Sequence, residues 1–430
     1  MTNCGFNYYF HIKAALLLTF LILFSGITLH AQTQKTHLDS VSYWRNQYQN
    51  KESWEFFVSS PGTFFGTPLL FVSKFTGDVV GYIYEKRTIP KIKALITSDD
   101  GKRGGVPKYS DRSGFGLKIY QQDISNPQSE LTLTAQLGLH KRQRYRVELE
   151  RLNFFGGPLL TDFTAQYRYL PNESFYGIGP ETTVEDRSAY NREWFDTWLN
   201  FSIFKARKLT FHTRFGFEIN SIFEPQTSNY SSIKDVYDSE TLPGLETGIK
   251  LARIQFDFRF NSLVRPGEPI SGNESLIYGG YYQQIDGRDY NFWEAGLDIT
   301  QYINIFRNRV LIIRFAGEAK REKDDKTIPF YRLSNIGVRE TVRGYTRGRF
   351  FDRDMAMVSI EYRIPLWHSI DSALFFDTGQ VSKNIFKERT IKNLEYGVGM
   401  GFRLWNPDRL IATFQFAVSP ERVRFYFVWN

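Results

Sequence analysis

Short runs in which apolar and polar residues alternate one for one recur through most of the chain. Ile254, Phe256, Phe258 and Phe260 alternate with Gln255, Asp257, Arg259 and Asn261. Phe211, Thr213, Phe215, Phe217 and Ile219 alternate with His212, Arg214, Gly216, Glu218 and Asn220. The same holds for Leu131, Leu133, Ala135 and Leu137 with Thr132, Thr134 and Gln136, and for Val423, Phe425, Phe427 and Trp429 with Arg422, Arg424 and Tyr426. A period of two places one face of a strand in an apolar medium and the other in a wet one. A soluble β-sandwich gives the same alternation. Two features favour a membrane. The apolar faces are bulky and aromatic, and the runs have about the 9–11 residues with which a tilted strand crosses a bilayer.

Linker lengths extend the reading. Long linkers are expected near Ser98–Arg112, Pro171–Asn191, Ile222–Leu242, Arg265–Asp289, Lys320–Arg353 and Gly379–Ile391. Short ones are expected near Lys205–Lys208, Leu251–Arg253, Gln301–Arg307, Pro365–Ile370 and Leu404–Asp408. Outer-membrane barrels have long extracellular loops and short periplasmic turns. About eleven strands precede Arg343 and about five follow it. The expectation is an all-β fold, a transmembrane antiparallel β-barrel of about 16 strands, an even number as bacterial barrels have. The first strand is expected near Arg87–Thr97. Pro90 lies within it, and proline is tolerated at edges and strand starts.

Composition agrees. The chain holds 39 Phe and 25 Tyr, 17% aromatic residues with Trp, which suits the aromatic girdles of a membrane barrel. Mean hydropathy is negative, and no stretch after the N-terminal run approaches the ~20 apolar residues of a membrane helix. Lys13 precedes an apolar run from Ala14 to Phe24, and Leu29-His30-Ala31 offers a small residue for cleavage. Residues 1–31 therefore read as a signal peptide. Cys4, the only cysteine, would leave with it, so no disulfide or thiolate chemistry is expected. Residues 32–85, with Trp44, Trp54 and the pairs Phe56-Phe57 and Phe64-Phe65, read as a short periplasmic or plug-like segment, and residues 86–430 as the barrel. The net charge of +8 could suit nucleic acid. Export to the outer membrane of a Gram-negative-type bacterium assigns it instead to an anionic leaflet or a cation-lined lumen.

Chemistry is sparse. His37, His140, His212 and His368 are scattered without metal-ligand spacing, and neither a Gly-x-Ser-x-Gly elbow nor a phosphate loop is present. No catalytic residue, metal or cofactor is expected. A hydrolase could assemble Ser and His across strands, and His212 faces the lumen, but a lone histidine there is usually solvated. Arg168, Arg214, Arg253 and Arg259, with Glu148, Glu218 and Asp257, read as a mixed-charge lumen wall whose members neutralise one another.

The polar segment from Lys320 to Arg353 stands apart. Long loops of this kind are usually functional or disordered, and this one carries Thr341-Val342-Arg343-Gly344-Tyr345. Glu361-Tyr362-Arg363-Ile364-Pro365 ends the next alternating run, and Phe375-Phe376-Asp377-Thr378-Gly379-Gln380-Val381 the one after. Tyr396-Gly397-Val398-Gly399-Met400-Gly401-Phe402-Arg403-Leu404 and a terminal run closing in Trp429-Asn430 follow. Over about residues 330–430 this order resembles the BamA/TamA superfamily of outer-membrane barrels, the bacterial surface antigen family. The resemblance implies that the Val342-Arg343-Gly344-Tyr345 loop folds back into the barrel. There Arg343 would be a latch against Asp377 and Glu361 on the inner wall, with Gly379 beside them. Alternation puts both carboxylates inward, since Val358, Ile360, Tyr362 and Ile364 take the other face of one strand, and Leu374 and Phe376 that of the next. Asp377 could instead cap an Asp-Thr-Gly turn.

Two functions follow. The family-like one is assistance to protein insertion or translocation, with outer-membrane lipid, client outer-membrane proteins and accessory lipoproteins as partners, and no nucleic acid. Family members usually carry POTRA domains, and residues 32–85 show no βααββ-like pattern. The other is a plugged small-solute pore or a structural barrel subunit.

Overall fold

The computed structural model describes residues 97–430, apart from 111, 155–158, 207, 226–227, 265–267, 288, 307, 368, 389–392, 407–408 and 430. The expected signal peptide with Cys4, the segment 32–85, and Pro90 lie outside the described residues. Those described belong to one compact unit, Pro90–Asn430.

Strands form where the alternation runs. In chain order they are β1 (Arg103–Ser110), β2 (Gly114–Gln122), β3 (Glu130–Leu137), β4 (Gln143–Leu152), β5 (Leu159–Phe175), β6 (Ser188–Ala206), β7 (Leu209–Phe223), β8 (Ile249–Asn261) and β9 (Gly272–Gln284). Then come β10 (Asn291–Phe306), β11 (Arg309–Glu322), β12 (Ser334–Ile336), β13 (Phe350–Asp352), β14 (Asp354–Trp367), β15 (Ile370–Ser382), β16 (Glu395–Asn406), β17 (Arg409–Val418) and β18 (Val423–Trp429). The short β12 and β13 form a two-stranded sheet of their own, and Phe351 of β13 also bridges to Ile178. The other sixteen form a closed antiparallel barrel, β1 to β11 and then β14 to β18, with β18 returning to β1.

Side-chain exposure assigns the faces. Phe115, Leu117 and Ile119 on β2, Phe211 and Phe215 on β7, Phe256 and Phe258 on β8, and Phe425 on β18 point outward and are exposed. Thr132, Gln136, Glu218, Asn220, Asp257, Ser359 and Asp377 point inward and are buried. A greasy exterior around a charged interior inverts the soluble pattern and marks an outer-membrane barrel. No helix among the described residues is long and apolar enough to cross a membrane; the strands do the crossing.

Three sequence expectations are corrected. The first barrel strand is Arg103–Ser110, inside the stretch expected to be a linker at Ser98–Arg112. Its two glycines and Pro107 hid it. They are tolerated because this strand closes the barrel and makes a full ladder only with β2. The expected strand near Arg87–Thr97 lies outside the described residues except for Thr97, which bridges to Gly104. The expected linker at Leu251–Arg253 is strand, in the middle of an unbroken pairing of β7 with β8. The expected loop Arg265–Asp289 contains β9, whose Gly279-Gly280 pair and tyrosines on both faces blur the alternation. The barrel nonetheless has the sixteen strands expected.

Two other prolines inside strands fall at ladder irregularities. Pro171 lies where the β5–β6 register shifts between Leu170 and Glu173. Pro365 borders the shift in β14–β15. Strand length is uneven around the wall: β5 and β6 have 17 and 19 residues, β1, β2 and β3 have 8, 9 and 8, and β18 has 7. The closure is thinner still. Among the described residues, β1 pairs with β18 at Tyr109–Trp429 and Ser110–Val428 only, while all eight of its residues pair with β2.

Candidate functional site

The loop between β11 and β14 enters the barrel, and apolar side chains hold it there. Ile336, Val342, Tyr345 and Phe350 pack on the inward-facing Ala316, Met357 and Val381. Ahead of them, Phe330, Tyr331 and Leu333 join a larger cluster with Phe175, Tyr190, Ile222 and Phe292 of the wall and Ile233 and Leu242 of the β7–β8 loop. Phe330 meets Phe175 and Tyr190 edge-on, with centroids 5.1 and 5.2 Å apart. Burying each such ring stabilises the seated loop by roughly 1.5–3 kcal/mol.

At the tip, Arg343 meets Asp377 through a fork. Nε donates to Oδ2 at 2.6 Å and Nη2 to Oδ1 at 2.7 Å, and the Arg343 backbone N–H donates to Oδ2 at 3.1 Å. The Asp377 carboxylate is fully buried. Ser359 on β14 donates to Asp377 Oδ1 at 2.6 Å and receives Arg343 Nη2 at 3.3 Å. Glu361 lies 3.5 Å from Nη1 and is itself ion-paired with Arg403. The guanidinium stacks on Phe375, 3.4 Å from its centroid. Burial alone would weaken the Arg343 charge, but Asp377 and then Glu361 outweigh it, so the proton is held more tightly than usual. A two-point contact of this kind is among the stronger charge-assisted bonds.

The neighbouring tip residues are positioned by the wall. Val342 is fully buried, and a Cβ on Gly379 would lie 3.1 Å from its Cγ2. Gly344 has φ +103°, a backbone conformation that favours glycine. Its N–H donates to the Tyr426 hydroxyl at 3.0 Å, and Ser419 donates to its carbonyl at 3.0 Å. Tyr345 donates to Glu395 at 2.6 Å. Burial and that carboxylate push its phenol well above the usual range, so it stays a neutral donor. The alternative for Asp377 does not hold: Asp377-Thr378-Gly379 are strand residues of β15, paired with both neighbouring strands.

Sequence reasoning missed several members. β16 turns Gly397, Gly399 and Gly401 inward. A Cβ at 397 would sit 1.9 Å from the Arg343 carbonyl oxygen, and one at 399 would sit 2.4 Å from the Phe375 ring. This glycine face lets loop and ring approach the wall. The signal was the Gly-x-Gly-x-Gly spacing at strand period. Arg349 is a second anchor, donating to Glu421 at 2.6 Å and to the Thr182 hydroxyl and carbonyl at 2.9 and 2.6 Å. Arg332 is a third. Its Nε donates to Glu218 at 2.7 Å, and Glu218 also receives Arg253 at 2.6 Å.

The mixed-charge wall is neutral only in part. Asp257 takes Arg214 at 2.6 Å and Arg259 at 2.8 Å, and Arg253 also pairs with Asp196. Arg146 pairs with Glu148 at 2.5 Å. Arg168 meets no carboxylate among the described residues; it lies over Trp194 instead. His212 Nδ1 is 2.8 Å from Ser202 Oγ. Ser202 is in ladder on both sides, with Leu160 and His212, and Asp257 is already held by its two arginines. Among the described residues no carboxylate is hydrogen-bonded to His212.

The description "Omp85 superfamily domain" matches residues 128–429. Among solved structures the chain is similar to BamA from Haemophilus ducreyi lacking POTRA domains 1-3, at 15% identity and a TM-score of 0.57, over 76% of this chain and 70% of that one. It is also similar to CdiB from Escherichia coli, at 10% identity and a TM-score of 0.51, over 75% of this chain and 61% of that one. Likeness at these identities is likeness of fold. No curated protein sequence matches the chain.

Proposed function

The chain belongs to the Omp85 superfamily, and from that membership we propose that it assists the insertion or translocation of proteins at the outer membrane. The observation that carries the proposal is the seam. Among the described residues β1 and β18 share two paired positions, where β14 and β15 are paired along nearly their whole length. A spanning sheet tolerates no open edge in lipid, so a short closure is the place where a client strand can be admitted by edge pairing. The other partners are outer-membrane lipid and accessory lipoproteins. The loop serves as a latched cork: Val342, Arg343, Gly344 and Tyr345, held by Glu361, Asp377 and Gly379, keep the lumen filled while the seam parts. This cork disfavours the pore alternative.

Depletion is expected to lower the amounts of other outer-membrane barrels. Joining the seam through Tyr109→Cys and Trp429→Cys is expected to reproduce that loss under oxidising conditions and to relieve it with reductant. Unchanged barrel levels on depletion would end the insertion reading. A locked seam with full activity would end the seam's part in it. A rise in planar-bilayer conductance in Arg343→Ala, with barrel levels untouched, would favour a plugged pore.

A further inference from the structure

We propose that the lumen face of β4 to β6, beside Arg112, is a binding site for a phosphate-bearing anion. Arg144 on β4 and Arg168 on β5 are direct cross-strand partners. Like charges placed directly opposite destabilise a sheet. Nothing acidic separates these two. Both donate to the single side-chain oxygen of Gln166, Arg144 Nε at 3.2 Å and Arg168 Nη2 at 3.0 Å, and Arg144 reaches Gln136 at 3.4 Å. Trp194 lies directly opposite Arg168 on β6. Arg168 and Arg192 sit 5.1 and 5.2 Å from its ring. Arg192 spends two of its donors on the neutral Asn220 oxygen, at 3.0 and 2.6 Å.

Among the described residues, none of Arg112, Arg144, Arg168, Arg192 and Arg347 has a carboxylate at ion-pair distance, although most lumen arginines do. The nearby acids are engaged elsewhere, Glu173 with Arg142 at 2.6 Å and Glu340 with Arg339 at 3.2 Å. The buried Nε atoms of Arg112 and Arg168 have no partner. Arg112 is pushed down to about 10 by burial and then by the neighbouring Arg347 charge.

Arg144, Arg168 and Arg192 around one stretch of wall, with Arg112 near by, call for an anion with more charge and more oxygens than a carboxylate. Planar arginine forks match phosphate oxygens in pairs, and one phosphate group can take Arg144 and Arg168 together. The oxygens could belong to a free phosphate or to a lipid headgroup. The inference stands on the wall's charges and is independent of the proposed role in insertion.

The test uses the full chain in a non-ionic detergent, in phosphate-free buffer, with chloride matching ionic strength throughout. Inorganic pyrophosphate is expected to raise Tm saturably. Arg144→Gln with Arg168→Gln is expected to lose that rise while its own Tm, without ligand, equals or exceeds the parent's, because the like-charge pair is gone. Heat-modifiable gel mobility shows that the variant is folded. Dihexanoyl phosphatidic acid is the second probe. If it acts at lower concentration than pyrophosphate, the source is a lipid; if only pyrophosphate acts, the source is soluble. No saturable rise in the parent with either probe, or an equal rise in the variant, overturns the site. A variant of lower Tm without ligand overturns it too, since the arginines would then serve only to build the wall.

Discussion

Two stretches of one lumen treat the same residue type in opposite ways. On β7–β8 and β14–β15, inward arginines end on carboxylates: Arg214 and Arg259 on Asp257, Arg253 on Glu218, and Arg343, arriving from the loop, on Asp377. On β4–β5, Arg144 and Arg168 face each other with one amide oxygen between them. Positive charge without an acidic partner is therefore concentrated on one wall among the described residues. Where arginine is answered by acid it fixes structure. Where it is not, it costs stability, and a ligand is the means of recovering it. The paired stretch also holds the loop's arginine tip, whereas β4 lies beside the short strands β1 to β3 that lead round to the seam.

The sharpest way to break the paired side is Gly397→Val. With a Cβ 1.9 Å from the Arg343 carbonyl, the loop tip cannot seat, and its polar and apolar contacts are lost together. The expected outcome is cleavage by added trypsin after Arg343, Arg347 or Arg349, with the barrel's gel mobility retained. A loop that stays resistant would mean that β16 moves to make room and that the glycine face is not what admits it.

Asp377→Asn comes next. It keeps the shape and removes the charge, leaving buried Arg343 with the longer Glu361 contact as its remaining ion pair. Breaking a buried pair from one side costs about 3–5 kcal/mol, and the apolar anchors remain, so trypsin sensitivity should rise less than in Gly397→Val. The contrasting change on the other wall, Arg168→Gln, should move stability the opposite way. If both substitutions destabilise alike, the two walls do not differ in kind.

Much of this was legible from residue order. The period-two runs predict the strands and their faces, because one side of each meets lipid and the other water. The tip residues Arg343, Gly344 and Asp377 were legible through a resemblance; their spacing alone left Asp377 equally suited to a turn. Strands without contrast between faces were not legible. β1 carries Gly104, Gly105 and Pro107, and β9 carries Gly279-Gly280 and tyrosines on both faces, so neither shows an apolar stripe. The other anchors were hidden because contact across the lumen leaves no local trace. Arg332 lies 114 residues from Glu218 in the chain, and Arg349 lies 167 from Thr182. The cationic wall was hidden for the same reason. Arg168 looks like any lumen arginine until its cross-strand partner proves to be Arg144.

The smallest expected effect sharpens the comparison from inside the paired region. Arg314 on β11 holds Asp298 through a fork at 2.8 and 2.6 Å, and its Nη1 donates to the loop carbonyl of Glu340 at 2.6 Å. The geometry is as good as that at Arg343, but both partners are about a third exposed, 30% and 32%, against 8% and 0% at the latch. Water already solvates this pair, so losing it uncovers little buried charge. Arg314→Gln is therefore expected to cost only about 0–1 kcal/mol. Trypsin sensitivity of the loop should stay close to the parent's and fall well short of that in Asp377→Asn. A loop released equally by both changes would show that the hydrogen bond to the Glu340 carbonyl, and not the burial of Asp377, decides whether the loop stays inside.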